Sequence, residues 1–347
     1  MATGSTRRQL LKRGLAAGAL ASIGAPHVAR AAPPLIRYST GGGIGPNEME
    51  TVVFLDWMKA NVLKQIGKSY DLSMTFTRGS PEAASLLAAG QVDMGMLAFS
   101  TFATTIVKGA VPDGLVIVGD GYQDGKPGFT SNTFFVLKDS PIQGPADLKG
   151  KKIGINAFGS AVDLALRVWL KSKQLDPRRD VQVVEIAFGN MAAALREKRI
   201  DCGVLVLPFK ATEEAKGDLR TLFTGGDALG QHAVTIKVVN KVFATKNRDA
   251  VRGFLADYIS GLNWFYDPAN RARAIEITAE FTKQPKEALD SYFLTPRDYY
   301  RDRNGCLTVA AVQNPIDAMA REGLLDGKVD VKQYLDLSFL PNACPAA

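Results

Sequence analysis

Histidine is almost missing from this chain, which has two in 347 residues, His27 and His232. Cysteine is nearly as scarce: Cys202, Cys306 and Cys344 are scattered, and no Cys-x-x-Cys pair occurs. A zinc centre needs three or four such ligands, so none is expected, while an all-carboxylate metal site stays open. Three cysteines are also too few for a disulfide scaffold, although an oxidising compartment allows one bridge. Cys306 and Cys344 sit in Gly-, Pro- and Asn-rich context and are the candidate pair; Cys202 opens an apolar run and reads as a buried free thiol. Nucleotide signatures are absent as well. There is no Walker A sequence. The loop Gly41-Gly42-Gly43-Ile44-Gly45-Pro46 lacks the last glycine of a dinucleotide fingerprint, and the following strand ends Thr75-Phe76-Thr77 without a ribose-binding acid. Phe158-Gly159-Ser160-Ala161-Val162 does not have the spacing of a nucleophile elbow. With no constellation of matched acid, base and nucleophile, an enzyme is not expected and no cofactor is called for.

Long hydrophobic runs are missing too. The mild apolar stretch 14–23 is about half of the ~20 residues needed to cross a bilayer. Thr6-Arg7-Arg8-Gln9-Leu10-Leu11-Lys12 precedes it and Ala29-Arg30-Ala31 follows it, so residues 1–31 read as a signal peptide cleaved near Ala31. The arginine pair resembles the twin-arginine signal, with Leu10 where that pattern has phenylalanine. This segment carries five of the seven net positive charges, leaving +2 on residues 32–347. Without a basic stripe, a nucleic-acid partner is not expected. No cysteine follows the cleavage site to carry a lipid, so the mature form is expected free in the periplasm.

What is present is an alternation of short apolar runs with longer segments of helical period, the mark of an α/β chain. Strands are predicted at 35–40, 72–77, 93–98 and 115–119, with a long helix at 48–66 and others at 80–90 and 101–108. Ser80-Pro81-Glu82 carries a strong helix start signal. The Gly-, Asp- and Pro-rich stretch 121–132 reads as a crossing to a second lobe. There strands at 133–138, 153–156, 181–186 and 202–207 alternate with helices at 160–173 and 191–198. Strands at 222–224 and 232–240 follow, then helices at 248–267, 268–281, 285–293, 308–322 and 331–339. Residues 32–130 and 225–347 are assigned to lobe I, and 131–224 to lobe II. An internal echo links the halves: Ala88-Ala89-Gly90-Gln91-Val92-Asp93-Met94-Gly95 and Leu195-Arg196-Glu197-Lys198-Arg199-Ile200-Asp201-Cys202-Gly203 each close a helix, place an aspartate and open a small-residue strand.

Several segments taken in order resemble the periplasmic substrate-binding proteins of nitrate, sulfonate, taurine and pyrimidine-precursor transporters. They are the 88–95 stretch, Lys138-Asp139-Ser140-Pro141-Ile142 through Asp147-Leu148-Lys149-Gly150-Lys151-Lys152-Ile153-Gly154, Gly159-Ser160, and Asp336-Leu337-Ser338-Phe339-Leu340. The resemblance implies a two-lobe type II binding-protein fold with the ligand cleft between the lobes. It also implies a monomer that closes on a small solute and delivers it to an inner-membrane ABC permease. Loops after strands and helix amino termini would line the cleft. The candidate ligand residues are Thr40, Gly43 and Asn47; Arg78, Gly79 and Ser80; Phe99, Ser100 and Thr101; Asn132; Gly159 and Ser160; Asn190; and Phe209. Ser80, Ser160 and Asn190 also read as plain helix caps, Arg78 as a solvated charge, and Phe99 and Phe209 as core. Arg78 with these donors points to an organic anion, sulfonate- or carboxylate-like. The same fold also hosts pyrimidine-precursor synthases, whose cysteine-rich motif this chain lacks, and a ligand sensor that docks on a receptor fits the sequence as well.

Overall fold

The computed structural model describes residues 32–41 and 47–345; the signal-peptide assignment and Gly43 lie outside them. Strand β1 (Leu35–Ser39) is followed by short helices α1 (Glu50–Val53) and α2 (Asp56–Asn61), β2 (Asp71–Thr75), α3 (Ser80–Ala88), β3 (Met94–Ala98), α4 (Phe99–Val107) and β4 (Leu115–Asp124). A second run has β5 (Thr133–Leu137), β6 (Lys152–Ile155), α5 (Ala161–Ser172), β7 (Gln182–Glu185), α6 (Phe188–Arg196), β8 (Cys202–Leu205), α7 (Phe209–Glu214), β9 (Leu219–Thr224) and α8 (Gly225–Leu229). The chain then returns through β10 (His232–Asn240) to the helices α9 (Lys241–Lys246), α10 (Arg248–Tyr266), α11 (Arg271–Thr282), α12 (Lys286–Tyr292) and α13 (Val309–Arg321).

The strands form two five-stranded sheets, ordered β2-β1-β3-β10-β4 and β7-β6-β8-β5-β9. Each has three parallel strands followed by two joined antiparallel. In both, the fourth strand is the one that has just crossed from the other half: β10 enters the first sheet and β5 the second. The sequence echo has a physical basis in this repeat. Asp93 accepts the Arg37 N–H of β1 at 3.0 Å, and Asp201 accepts the Lys152 N–H of β6 at 2.8 Å. Three residues earlier, Gly90 (φ 63°) and Lys198 (φ 57°) end α3 and α6 in the left-handed conformation.

Each sheet has its own apolar core. Phe254 of α10 stacks on Tyr38 of β1 and on Phe54, with ring centres 5.3 and 4.7 Å apart. In the second core Phe223 lies between Trp169 and Phe134, at 3.8 and 4.3 Å. Cys306 and Cys344 are bridged, and Cys202 is a buried free thiol whose pKa burial pushes up.

Three elements differ from expectation. The helix expected over 48–66 is two short pieces, because Leu55 is extended and the N–H groups of Lys64, Gln65 and Ile66 donate to the buried Asp257 carboxylate instead of to a preceding turn. Strand β4 runs five residues beyond 119, since Asp120 to Asp124 pair with β10. Gly121 permits this, as a β-carbon there would lie 2.2 Å from Met96 Cε. The helix expected over 331–339 is two 3-10 turns, Val331–Gln333 and Leu337–Phe339. Between them the backbone pairs with the edge of β4, Ile117 N donating to the Tyr334 carbonyl and Asp336 N to the Ile117 carbonyl.

Two segments link the sheets, 125–132 and 225–231. Asp124 holds them together: its carboxylate accepts from Gly125 N, Ser131 Oγ and Asn132 N, and Gly225 packs against it while donating to the Asn132 carbonyl at 2.8 Å.

Candidate functional site

The carboxyl ends of the parallel strands in both sheets meet across a narrow cleft. Gly41, Ala98 and Ser80 line it from the first sheet, with Tyr122, Val234 and Thr235 from the antiparallel pair β4 and β10. Asn156 at the end of β6, Ser160 at the start of α5, Phe188 at the start of α6 and Phe209 after β8 line it from the second. Helices α3, α5 and α6 therefore aim their amino termini, with unpaired N–H groups and positive dipole ends, at one space.

The walls are held by local hydrogen bonds. Ser160 caps α5, accepting from Asp163 N at 3.3 Å and donating to Asn156 Oδ1 at 2.9 Å. Ser80 Oγ accepts the Ala98 N–H at 2.9 Å and so joins α3 to the end of β3. The lobes touch: Ser100 Oγ and Thr101 Oγ1 both donate to the Gly159 carbonyl, at 2.9 and 3.2 Å. Behind Tyr122, the Tyr299 hydroxyl donates to Asn132 Oδ1 at 2.7 Å and accepts from Leu207 N at 3.0 Å, a second tie between the halves.

Glu48 is buried in the wall, its carboxyl oxygens accepting from Gly41 N at 3.0 and 2.8 Å. Burial raises its pKa to about 8, and the nearby Glu50 adds to the shift. Beneath lies a buried ion pair, Lys237 Nζ to Glu50 Oε1 at 2.7 Å, with the Lys237 ammonium 3.8 Å from the centre of the Tyr258 ring. The Asp120 carboxyl in the same layer is pushed by burial to about 7.

The model of the NMT1-like family matches residues 59–279. The chain belongs to the NMT1-like family. This NMT1-like chain is 27% identical over 202 residues to the nitrate/nitrite binding protein NrtA of Synechococcus elongatus, a match covering 56% of this chain and 44% of NrtA, less than half of that relative. Its backbone superposes on the crystal structure of the periplasmic aliphatic sulphonate binding protein SsuA from Escherichia coli with a TM-score of 0.67 at 21% identity, covering 87% of this chain and 97% of SsuA. The periplasmic nitrate-binding protein NrtA from Synechocystis gives 0.66 at 14% identity over 88% and 87% of the two chains. The fold of this NMT1-like protein is therefore the two-lobe α/β binding-protein fold expected from its sequence.

Of the residues singled out in the sequence, Asn47, Ser80, Ser160 and Phe209 line the cleft, and Ser100, Thr101 and Gly159 form the lobe contact beside it. Gly79 lies at the same junction, a β-carbon there falling 3.6 Å from Ala157 Cβ. The others stand elsewhere. Thr40 is committed to the β2 side, where its Oγ1 accepts from Thr77 N. Arg78 leaves the cleft altogether; its side chain is 94% exposed and pairs with Glu82 in the first turn of α3. Phe99 is core, edge-on to His232. Asn132 serves the crossing segments, and Asn190 is exposed on α6 and outside the cleft wall. Glu48, Tyr122, Asn156 and Thr235 were missed. The internal repeat could have found Asn156: Ser39 pairs with Gly95 and Gly154 with Gly203, so Asn156 is the counterpart of Gly41.

Proposed function

We propose that this protein is the solute-binding component of an importer: exported by its N-terminal segment, monomeric in the periplasm, it closes on a small polar solute and presents it to an ABC permease. The observation that carries the reading is the cleft itself, walled by strand ends and helix amino termini from both sheets and bridged by Ser100, Thr101 and Gly159. A ligand touching both walls favours the closed state by its differential contacts, and hinge closure follows. Relatives named as nitrate- and sulphonate-binding proteins support the role. The organic anion suggested by the sequence loses Arg78 as its partner and keeps the three helix amino termini. A thermal-shift screen against sulfonates, carboxylates, nitrate and pyrimidines, followed by calorimetry, tests the reading. A ligand at a hundred times its Kd adds about 2.7 kcal/mol of stability, and a saturable one-to-one hit is the expected result. No hit, with turnover of any of these compounds, would sink it.

A further inference from the structure

Glu48 is the one carboxylate or cationic side chain among the described residues of the cleft wall. The stretch 42–46 between Gly41 and Asn47 is Gly-Gly-Ile-Gly-Pro and brings no ionisable group. The layer under the wall is short of positive charge. Glu48, Glu50 and Asp120 are all buried there, and Lys237 is the cation that faces them, already engaged with Glu50 Oε1 at 2.7 Å and with the Asp120 carbonyl. Arg301 pairs with Asp298 at 3.1 Å and donates to the backbone carbonyl of Asn47 at 3.1 Å, so its guanidinium supports the wall from behind and is not among the lining side chains. A buried carboxyl without a cation is held neutral or waits for one. Gly41 N supplies a hydrogen bond to Glu48, yet a backbone N–H carries no charge.

Resting on the binding reading above, we propose that Glu48 is the specificity-determining residue of the cleft and that the solute presents a protonated nitrogen, an amine or amidine, to its carboxylate. That cation supplies the charge the buried layer lacks, and the wall gives it no competing ammonium or guanidinium. The rest of the solute lies among Tyr122, Phe188 and Phe209, with its polar atoms toward Asn156 and Ser160. A simple anion would hold Glu48 in its protonated form and would release no proton on binding.

The groups that set the ionisation of Glu48 are Glu50, which opposes its charge, Lys237, which favours it, and the phenols of Tyr38 and Tyr122. Burial favours the protonated form of Glu48 in the ligand-free protein. A cationic nitrogen placed against it favours the carboxylate, so binding releases protons.

The test uses matched pairs differing only in the nitrogen: γ-aminobutyrate against butyrate, homotaurine against propanesulfonate, and aminomethylbenzoate against toluate. Thermal shift and calorimetry on the purified protein should show that the amino members bind and their partners do not. Calorimetry in buffers of different ionisation enthalpy should show proton release for an amino member. Glu48→Gln should weaken that ligand on the order of tenfold or more, the scale of a lost charge-assisted hydrogen bond, while Arg78→Ala leaves it unchanged. Binding of the nitrogen-free anions with equal affinity, or proton uptake on binding, overturns the proposal and leaves the binding reading standing. Failure of every member to bind overturns the proposal, and the binding reading is then decided by the wider screen described above. The proton measurement is made on the unaltered protein, so it decides even if Glu48→Gln folds poorly.

Discussion

Ser100 and Gly159 belong to different lobes, and the Ser100 hydroxyl donates to the Gly159 carbonyl at 2.9 Å across the cleft mouth. Thr101 supports the same acceptor at 3.2 Å. Gly159 lies just ahead of α5, so this contact joins the two lobes at a helix amino terminus that faces the cleft. On the proposed hinge closure, closing the lobes and placing that terminus would be one event.

Removing both hydroxyls, Ser100→Ala with Thr101→Val, should therefore act on closure and not on folding. With each hydrogen bond worth about 1 kcal/mol net, ligand affinity should fall roughly five- to thirtyfold. Small-angle scattering should show a more open ligand-free particle, and the melting temperature of that form should hardly move. An unchanged affinity would mean that the contact is incidental.

The ionisation of Glu48 also predicts how stability varies with pH. Its pKa in the folded chain, about 8, lies above the ordinary glutamate value of 4.5. The folded state then binds more protons than the unfolded one across that interval, so the contribution of Glu48 is intact below about pH 4.5 and is lost as pH rises toward 8. Glu48→Gln removes this term. Melting curves of the ligand-free protein should show the variant gaining on the parent between pH 5 and 8; a gap independent of pH would contradict the assignment.

At Lys198 the chain pays a penalty that its counterpart Gly90 avoids, because a side chain disfavours the left-handed conformation both residues adopt. Lys198 is exposed and makes no salt bridge with a described residue. Lys198→Gly should raise stability by about 0.5–1 kcal/mol by chemical denaturation, and Gly90→Lys should lower it by a similar amount.

Asp257 gathers the N–H groups of Lys64, Gln65 and Ile66 and the Tyr70 hydroxyl on one buried carboxylate. Asp257→Ala should cost about 2–4 kcal/mol, and amide exchange should quicken first at residues 64–66. Uniform exchange throughout the chain would show that the loop has other support.

The same residues explain what the sequence could and could not tell. Strands, the helix start at Ser80 and the echo around Asp93 and Asp201 were legible because they follow from local pattern and turn chemistry. The long helix over 48–66 was not, since its break depends on Asp257, some 190 positions away in the chain. The extra length of β4 likewise depends on β10. In the cleft, helix caps such as Ser80 and Ser160 could be read from their neighbours. Glu48 could not, because nothing near it in sequence says that it is buried beside Glu50 and Lys237. Arg78 misled for the opposite reason: it stands next to a lining residue and turns to Glu82.

Asp124 organises the segment 125–132, and Gly225 ties the returning segment to it through the Asn132 carbonyl. Two crossing segments joined side by side should act as a door hinge and not as a ball joint, favouring swing over swivel. Motion along one coordinate would make the occupied state readable at a distance. A single pair of dyes, one on α10 and one on α5, would report ligand capture as a change in one separation. If the protein serves an importer as proposed, the same restriction would offer the permease one arrangement of the two outer surfaces, whatever the solute inside.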